Sequence, residues 1–489
     1  MSNTQDLKKM LEKKMSILQG DAERIAKQRA QGKLTARERV AKLLDEGSFV
    51  ETDALVSKKD DYAGVVTGYG TVQDRPVYIF AQDFTVHGGA MGVQHAQKIC
   101  KILDLAQKTG APVIALCDSA GVRLDEGAEA MNAYAQVYGK LAKLSGVCPI
   151  IAVVLGPAIG GAALIAQLAD VSIMAEKVGS MMVYGPQVMS AVSGKTFNDE
   201  TAGGAKVMAE QGGVALTAAD EDAAIALAVQ VLDLLPGSNA EDAPVVDADD
   251  LNRVLPEIDA ADAAGLMAAM ADEGAYVELY SQWGKEIRVA LTRIGGYSVG
   301  LVVSDASVNE GMLAPAAAAK AARFIRFCDC YSLPVVSLIN SKGVAVPDVK
   351  AQSWTMITTA QLLYAYAEAT CTKVSVVVGN AIGQSYIAMA AKGSADMTYA
   401  WPGAVISALT PAAAAQVLCA DELKAGKARA DVEADYAANV ADGINAAKAG
   451  LIDDVVDPAE TRKYVIAAIE MLASKRESNP PKKHGNLPL

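Results

Sequence analysis

The chain carries an internal repeat, and this repeat restricts the possible folds more than any other feature of the sequence. Segments of the first half resemble later segments at a nearly constant distance of 222 or 223 positions: 75–83 resemble 297–305, 110–121 resemble 332–343, and 156–174 resemble 379–397. Short apolar runs can resemble one another by coincidence. Three matches in one order and at one spacing instead indicate the duplication of a single folded unit.

The repeated unit has the pattern of an α/β fold. From about residue 63, short β-branched runs alternate with Ala-rich stretches of helical spacing, as in folds that combine a parallel sheet with helices. The segment 236–262 is rich in Pro, Gly and acidic residues and is predicted to link the two copies. We therefore predict an N-terminal helical segment (1–62) followed by two tandem domains (63–240 and 262–489).

The N-terminal segment has helical periodicity. Leu7, Leu11 and Leu18 recur at helical spacing on an otherwise charged stretch. The pattern predicts a helix over residues 4–45 that stops at Gly47.

The composition excludes several functional classes. The chain has 44 basic and 57 acidic residues, and the resulting charge of −13 argues against a nucleic-acid partner. Seven Cys without C-x-x-C spacing predict neither a disulfide framework nor a metal site. The uncharged stretch 144–169 is interrupted by Gly and Pro, so direct membrane insertion is not expected. Without a recognisable signal peptide, a cytoplasmic location is predicted.

Both copies contain a glycine-rich turn after an apolar run. The string Gly-x-Ala-Ile-Gly spans Gly156 to Gly160 in the first copy and Gly379 to Gly383 in the second, and a helical stretch follows each. Such a turn can serve tight packing alone. It also leaves backbone N–H groups open at a helix N-terminus, where they attract negative charge. Its recurrence at equivalent positions favours two oxyanion sites.

Side-chain acid–base chemistry has few candidates. The chain has only three His, and of these His87 is either a pocket residue or, as is more usual for a single His, a structural one. Two backbone oxyanion sites with little side-chain chemistry fit the formation of an enolate from a thioester, assisted by a base that belongs to a cofactor.

Eight strings spread over nearly the whole chain are specific enough to compare with known families. They are KLTARERVAKLLDEGSFVE (33–51), GVVTGYGTV (64–72), IFAQDFTVHGG (79–89), DSAGVRLDEG (118–127), GPAIGGA (156–162), AARFIRFCD (321–329), LLYAYAEATCTKV (362–374) and YAWPGA (399–404). Through these strings the sequence resembles the carboxyltransferase subunits of biotin-dependent acyl-CoA carboxylases and the related acyl-CoA decarboxylases. The resemblance implies two crotonase-like halves.

The resemblance implies the ligands of each half. The first domain would bind a coenzyme A thioester, with the N–H groups of Gly160 and Gly161 facing the enolate. The second would bind carboxybiotin, with the peptides of Gln384 and Ser385 facing its ureido oxygen, and the biotin nitrogen would serve as the base. Further binding positions implied by the resemblance are Ala120, Gly121, Gly156, Gly343, Gly383, Tyr386 and Ile387.

The chain departs from the family pattern mainly in its second half. Gln384 and Ser385 stand where the family has Gly and Ala, residues 340–343 replace a Pro-Gly-Phe loop, and Ala120 replaces a Gly. A backbone N–H survives each change, but the added Cβ atoms narrow the approach of a ligand. Ile387 occupies a position linked to acyl length, and its apolar side chain favours acetyl-CoA or a decarboxylase.

Three functions remain open at this stage. The first is an acyl-CoA carboxyltransferase component acting on acetyl-CoA or propionyl-CoA. The second is the carboxyltransferase subunit of a sodium-translocating decarboxylase of the methylmalonyl-CoA type. The third is a non-catalytic scaffold or filament-forming relative.

The expected partners follow from what the sequence lacks. It contains no Ala-Met-Lys-Met biotinylation site and no ATP-grasp-like domain. The resemblance therefore implies a separate biotin carboxyl carrier protein, together with a biotin carboxylase or a membrane decarboxylase subunit. It also implies a homo-hexamer with active sites formed between halves of two subunits. The Ala-rich stretches 312–322 and 411–420 are predicted to lie in subunit interfaces.

Overall fold

The computed structural model describes residues 2–58, 61–345, 349 and 351–488. The chain divides into two compact units, unit 1 (residues 1–241) and unit 2 (residues 242–489).

Unit 1 is built around a mainly parallel sheet. Its strands are β1 (Val50–Thr52), β2 (Ser57–Lys58), β3 (Asp61–Tyr62), β4 (Val65–Val72), β5 (Arg75–Gln82), β6 (Val113–Ser119), β7 (Ile150–Ile159), β8 (Val171–Ala175), β9 (Ser180–Met182) and β10 (Leu216–Ala218). The order in the sheet is β1-β4-β5-β6-β7-β8-β10, with β9 also paired to β7. β4 pairs antiparallel with both β1 and β5, and the pairings from β5 onward are parallel. β2 and β3 form a separate antiparallel pair outside this sheet.

The helices of unit 1 connect and cover these strands. They are α1 (Ser2–Gln19), α2 (Ala22–Ala30), α3 (Ala36–Leu43), α4 (Val93–Thr109), α5 (Gly127–Leu144), α6 (Gly161–Leu168), α7 (Pro186–Ser193), α8 (Asp199–Gly203), α9 (Ala205–Glu210) and α10 (Glu221–Asp233). Apolar side chains of α4 and α5 pack against those of β6 and β7, which are buried along almost their whole length. Strands enclosed in this way need the continuous apolar runs that the sequence provides.

The N-terminal segment forms three helices rather than the single helix predicted over 4–45. Gly20 ends α1 and Gly32 follows α2, and both have a left-handed backbone, with φ values of +60° and +74°. New helices then begin where Asp21 and Thr35 accept hydrogen bonds from the N–H groups of the next turn. The prediction failed because apolar spacing continues across both breaks, whereas the left-handed glycines and the caps end each helix.

Unit 2 repeats this architecture. Its strands are β11 (Tyr276–Leu279), β12 (Ile287–Ile294), β13 (Tyr297–Ser304), β14 (Val335–Ser341), β15 (Lys373–Ile382), β16 (Met397–Ala400), β17 (Val405–Ser407) and β18 (Asp454–Val455). The order in the sheet is β11-β12-β13-β14-β15-β16-β18, with β17 also paired to β15. This is the same path as in unit 1, strand for strand.

The helices of unit 2 connect its strands, and the burial of one of them differs from the prediction. They are α11 (Ala263–Met270), α12 (Pro315–Cys330), α13 (Gln352–Glu368), α14 (Gln384–Met389), α15 (Pro411–Val417), α16 (Ala420–Lys424), α17 (Arg429–Asn439), α18 (Gly443–Lys448) and α19 (Thr461–Leu472). The stretch 312–322 was predicted to need cover from another subunit, but Ala317, Ala318 and Ala321 are fully buried inside unit 2. In the stretch 411–420, Val417 and Leu418 remain exposed.

Local details of the two units also coincide. The pairing of the central strands shifts register between Cys117 and Ser119 in unit 1 and between Ile339 and Ser341 in unit 2. The predicted α/β fold with two like halves and an N-terminal helical segment is confirmed. Within the described residues, no helix has both the length and the apolar character that crossing a bilayer requires.

Candidate active site

The glycine turn of unit 1 connects β7 to α6. Gly160 adopts φ 59° and ψ −119°, a conformation available to glycine but not to other residues without strain. Its N–H donates to the carbonyl oxygen of Met182 on β9 at 2.8 Å. This hydrogen bond corrects the prediction that the Gly160 N–H faces a substrate, since the group already has a partner.

The next two residues carry the open donors. The N–H groups of Gly161 and Ala162 have no hydrogen-bond partner among the described residues. They are the first N–H groups of α6, where the helix macrodipole adds partial positive charge. The open N–H groups at the turn of unit 1 are therefore those of Gly161 and Ala162, one position further along than the pair predicted from the sequence.

Gly161 is a glycine for a different reason from Gly160. A Cβ atom at Gly161 would lie 2.5 Å from Cε1 of Tyr134 and 2.7 Å from the hydroxyl of Tyr138. At Gly160 the nearest atom to such a Cβ would be the carbonyl oxygen of Val183 at 3.5 Å, an ordinary contact. Backbone conformation thus requires the first glycine, and limited space requires the second.

A cavity of about 1130 Å³ opens beside this turn. The residues that line it are Ala120, Gly121, Val122, Leu124, Met131, Tyr134, Ala135, Tyr138, Ile159, Gly160, Gly161, Leu164, Val183, Tyr184, Gly185, Pro186, Gln187, Val188, Asn198 and Asp199. Its walls are mostly apolar and carry no Lys or Arg side chain. In such surroundings few donors compete with the backbone N–H groups for a developing negative charge.

Ala120 and Gly121 lie in the wall of this cavity, but their N–H groups are already bonded. The N–H of Ala120 donates to the carbonyl oxygen of Gly88 at 2.8 Å. The N–H of Gly121 donates to Oγ of Ser119 at 3.1 Å, and Gly121 has a φ of +106°. These residues shape the cavity wall and do not add to the open donors.

Gly156 lies outside the cavity, beneath a buried ion network. A Cβ atom at Gly156 would lie 2.0 Å from Oδ1 of Asp118 and 2.7 Å from Nζ of Lys33. The sequence prediction gave Gly156 a binding role. The structure gives it a packing role, because only a glycine leaves room for these two charged groups.

The network joins the N-terminal helices to the end of the sheet. Asp118 accepts hydrogen bonds from Lys33 at 2.7 Å and from Arg39 at 2.8 Å. Arg39 also donates twice to Glu221, at 2.6 and 2.9 Å, and once to the carbonyl oxygen of Leu155 at 2.7 Å. Two cations thus balance two carboxylates in the interior, and one of these carboxylates, Asp118, lies two residues before Ala120.

Burial and pairing act against each other in this network. For Arg39, burial disfavours the charged guanidinium, but the hydrogen bonds and charges of Glu221 and Asp118 outweigh burial and raise its pKa. For Lys33, burial outweighs the attraction of Asp118 and lowers the pKa. Arg39 is therefore the permanent cation that holds both carboxylates.

The glycine turn of unit 2 has the same geometry. Gly383 adopts φ 55° and ψ −120° between β15 and α14, and its N–H donates to the carbonyl oxygen of Ser407 at 2.8 Å. The N–H groups of Gln384 and Ser385 have no partner in the described part of the chain. The repeat offset of 223 makes this pair equivalent to Gly161 and Ala162. The same arithmetic applied to the sequence would have found Ala162.

The side chains at this second turn leave the donors accessible. Ser385 is fully buried, and its Oγ accepts a hydrogen bond from the N–H of Ile382 at 2.9 Å. Its Cβ therefore points into the protein, while the side chain of Gln384 is exposed. The sequence predicted that the Cβ atoms of Gln384 and Ser385 narrow the approach of a ligand to the turn. The Cβ of Ser385 does not do so, because it points away from the open N–H groups. The hydroxyl of Tyr386 donates to the carbonyl oxygen of Leu451 at 2.9 Å, and Ile387 is 51% exposed.

The two units differ in the loop beside the glycine turn. Gly343 has a φ of +108°, as Gly121 does in unit 1, but the residue before it is Lys342 instead of Ala120. Nζ of Lys342 forms an ion pair with Glu310, at the position that Gly88 occupies in unit 1. The loop beside the second turn is therefore charged where the first is apolar.

Histidine plays no part in the cavity. His95 is buried, and burial together with the nearby charge of Lys98 lowers its pKa to about 3. Neither His95 nor His87 lines the cavity. The geometry thus provides backbone donors at two equivalent turns, and no histidine among the cavity walls could act as a base.

Comparison with known proteins shows the family of this chain. The profile of the carboxyl transferase domain matches residues 27–487. The chain belongs to the carboxyl transferase family. The alpha subunit of methylmalonyl-CoA decarboxylase from Veillonella parvula is 40% identical to it, with 100% of both chains covered. The carboxyltransferase subunit of propionyl-CoA carboxylase from Haloferax mediterranei is 37% identical, with 98% of each chain covered.

Among solved structures, transcarboxylase 12S superposes with a TM-score of 0.94 at 36% identity, over 99% of this chain and 98% of that one. That structure is described as a hexamer with methylmalonyl-CoA and methylmalonic acid bound. The predicted family and enzyme class are confirmed: the chain is a carboxyltransferase of the acyl-CoA carboxylase type, and relatives named as decarboxylases also match it.

Proposed function

We propose that this carboxyltransferase moves a carboxyl group between a coenzyme A thioester and biotin carried by a separate protein. The observation that supports this most is the pair of equivalent turns. Each unit presents two open backbone N–H groups at the start of a helix, Gly161 and Ala162 in unit 1 and Gln384 and Ser385 in unit 2. A reaction with two carbonyl oxygens to stabilise, one on each reactant, needs such a pair of sites.

The first turn suits the thioester. Removal of a carboxyl group from the α-carbon of an acyl-CoA, or of a proton in the opposite direction, moves negative charge onto the thioester oxygen. Donors fixed in an apolar cavity stabilise that charge, each by roughly 3 kcal/mol by analogy with other oxyanion holes. In this proposal Gly161 and Ala162 hold the oxygen, and the wall at Ala120 and Gly121 contacts the acyl group.

The second turn suits the ureido oxygen of biotin. The inward orientation of Ser385 leaves its N–H and that of Gln384 open to a carbonyl oxygen. Biotin, when bound, would supply the carried carboxyl group and a basic nitrogen, which agrees with the absence of histidine from the cavity of unit 1. Gly343, Gly383, Tyr386 and Ile387 would form its surroundings.

A second candidate is the same transfer run from acyl-CoA to biotin, as part of a decarboxylase complex. Full-length relatives at 40% and 38% identity carry the name methylmalonyl-CoA decarboxylase subunit alpha. The apolar Ile387 agrees with this direction. The carrier protein and the subunit that completes the cycle, a biotin carboxylase or a membrane decarboxylase subunit, are part of either proposal.

A homo-oligomer, by analogy a hexamer, is also proposed. The mouth of the unit 1 cavity is rimmed by apolar side chains that unit 1 leaves exposed. They are Leu124, Met131, Val183, Tyr184 and Val188. An apolar rim of this kind is typical of surfaces that another subunit covers.

Carboxyl transfer to free biotin tests the proposal. Labelled malonyl-CoA and methylmalonyl-CoA serve as donors, and Gly161→Ala is compared with Gly139→Ala, since a Cβ at Gly139 meets nothing within 4 Å. We expect transfer by the wild type and the Gly139 variant and a loss of about 100-fold or more for Gly161→Ala. Binding of both donors without any transfer by the wild type would instead favour a scaffold.

A further inference from the structure

Two tyrosines of α5 hold the backbone around the unit 1 cavity. Tyr134 and Tyr138 lie one helical turn apart and both line the cavity, with ring centroids 5.8 Å apart. The hydroxyl of Tyr138 donates to the carbonyl oxygen of Gly161 at 3.0 Å. The hydroxyl of Tyr134 donates to the carbonyl oxygen of Gly121 at 2.9 Å. The two residues make the same kind of bond to different parts of the cavity wall.

The bond from Tyr138 acts on the open donors directly. The carbonyl of Gly161 and the N–H of Ala162 belong to one planar peptide, so fixing the oxygen fixes the direction of the N–H. It also restricts rotation about the Gly161 backbone, which carries the other open N–H. A hydrogen bond accepted by a peptide carbonyl further polarises its N–H.

The bond from Tyr134 supports another part of the cavity wall. The carbonyl oxygen of Gly121 also accepts a hydrogen bond from the N–H of Met91 at 2.8 Å, and Gly121 belongs to the wall proposed to contact the acyl group. A tyrosine outside the cavity is therefore the better control. The hydroxyl of Tyr62 donates to the carbonyl oxygen of Val65 at 2.7 Å, and neither of these residues lines the cavity.

The glycine turn of unit 2 forms without a hydrogen bond like the one from Tyr138. In the described part of the chain, no side chain donates a hydrogen bond to the carbonyl oxygen of Gln384, the equivalent of Gly161. A hydrogen bond needed to form the turn would be present in both units. Because the described residues of unit 2 contain no counterpart, we connect the Tyr138 hydrogen bond with the reactant that unit 1 is proposed to bind. Burial raises the pKa of Tyr138 to about 12, so the hydroxyl remains a donor at neutral pH.

We infer that Tyr138 is a positioning residue for carboxyl transfer, which orients the peptide between Gly161 and Ala162 toward the thioester oxygen. This inference rests on the proposed function of the turn. It predicts that the Tyr138 hydroxyl contributes to the rate of transfer and much less to the binding of the acyl-CoA, because the charge that the donors meet is greatest in the transition state.

The test compares Tyr138→Phe with Tyr62→Phe in the full chain. Transfer from methylmalonyl-CoA to free biotin gives kcat and KM. The carbonyl stretch of bound propionyl-CoA labelled with carbon-13 at the thioester reports how strongly the donors polarise it. We expect Tyr138→Phe to lower kcat about tenfold, the equivalent of one net hydrogen bond, with KM changed less than twofold. Its carbonyl band should lie closer to that of free propionyl-CoA, while Tyr62→Phe matches the wild type in both readouts.

Other results would overturn the inference. Equal losses of kcat in the two variants, or an unchanged rate and an unchanged band in Tyr138→Phe, would make the hydroxyls merely structural. If the wild type binds propionyl-CoA with a shifted band but transfers no carboxyl group, the proposed reaction fails while the band still tests Tyr138. If the wild type binds no acyl-CoA, both fail.

Discussion

Removal of Arg39 provides the sharpest test of how the site is supported. In Arg39→Met the guanidinium is lost, and with it the hydrogen bonds to Glu221, Asp118 and the carbonyl of Leu155. Arg39 and Asp118 are fully buried and Glu221 is 5% exposed, so water cannot replace the lost partner. Loss of one member of a buried ion network costs about 3–5 kcal/mol.

This cost can be read as a shift in melting temperature. Unit 1 contains residues 1–241, and for domains of this size each kcal/mol lowers Tm by roughly 2–4 °C. We therefore expect Arg39→Met to lower the unit 1 transition in scanning calorimetry by about 6–20 °C. The matched control is Lys42→Met on the same helix, whose ion-pair partner Asp222 is 66% exposed. Its loss should cost about 1 kcal/mol.

A double variant separates charge from packing. In Arg39→Met combined with Glu221→Met, the ion pair between Lys33 and Asp118 remains, and its two charges cancel. The double variant should therefore recover at least half of the stability lost in Arg39→Met. The reasoning is refuted if Arg39→Met costs no more than Lys42→Met, or if the costs of Arg39→Met and Glu221→Met simply add in the double variant.

Two further predictions concern strain and pH. Gly160→Ala should lower the free energy of unfolding in urea by about 1–3 kcal/mol, because the backbone conformation and not lack of space excludes a side chain; a cost no greater than that of Gly139→Ala would contradict this. Burial lowers the pKa of Lys98 to about 8, so the unfolded chain binds the proton more tightly and the wild type gains stability as the pH rises from 8 toward 10.5. Relative to Lys98→Met, the gain between pH 7 and pH 9.5 should be about 2 kcal/mol in urea titrations, whereas a constant difference would show that Lys98 titrates normally.

The site could be predicted in type but not in every residue. The repeated Gly-x-Ala-Ile-Gly string correctly indicated two strand-to-helix turns with donors at their helical ends. It could not show that Met182 occupies the N–H of Gly160, because that strand follows the turn by some twenty residues and meets it only in the folded sheet. The two open N–H groups are therefore those of Gly161 and Ala162, and not those of Gly160 and Gly161. Tyr138 left no signal, since an apolar helix face gives no sign of which hydroxyl reaches a carbonyl.

The sequence by itself determined the α/β class, the duplication and the family, because these depend on periodicity, on internal offsets and on strings of adjacent residues. Only the tertiary structure decided which backbone groups remain open and what supports them. Lys33 and Arg39 reach Asp118 across 85 and 79 positions, and Arg39 reaches Glu221 across 182. The energy of such contacts depends on burial and on distances of a few ångströms, and these arise only when the sheet and helices come together.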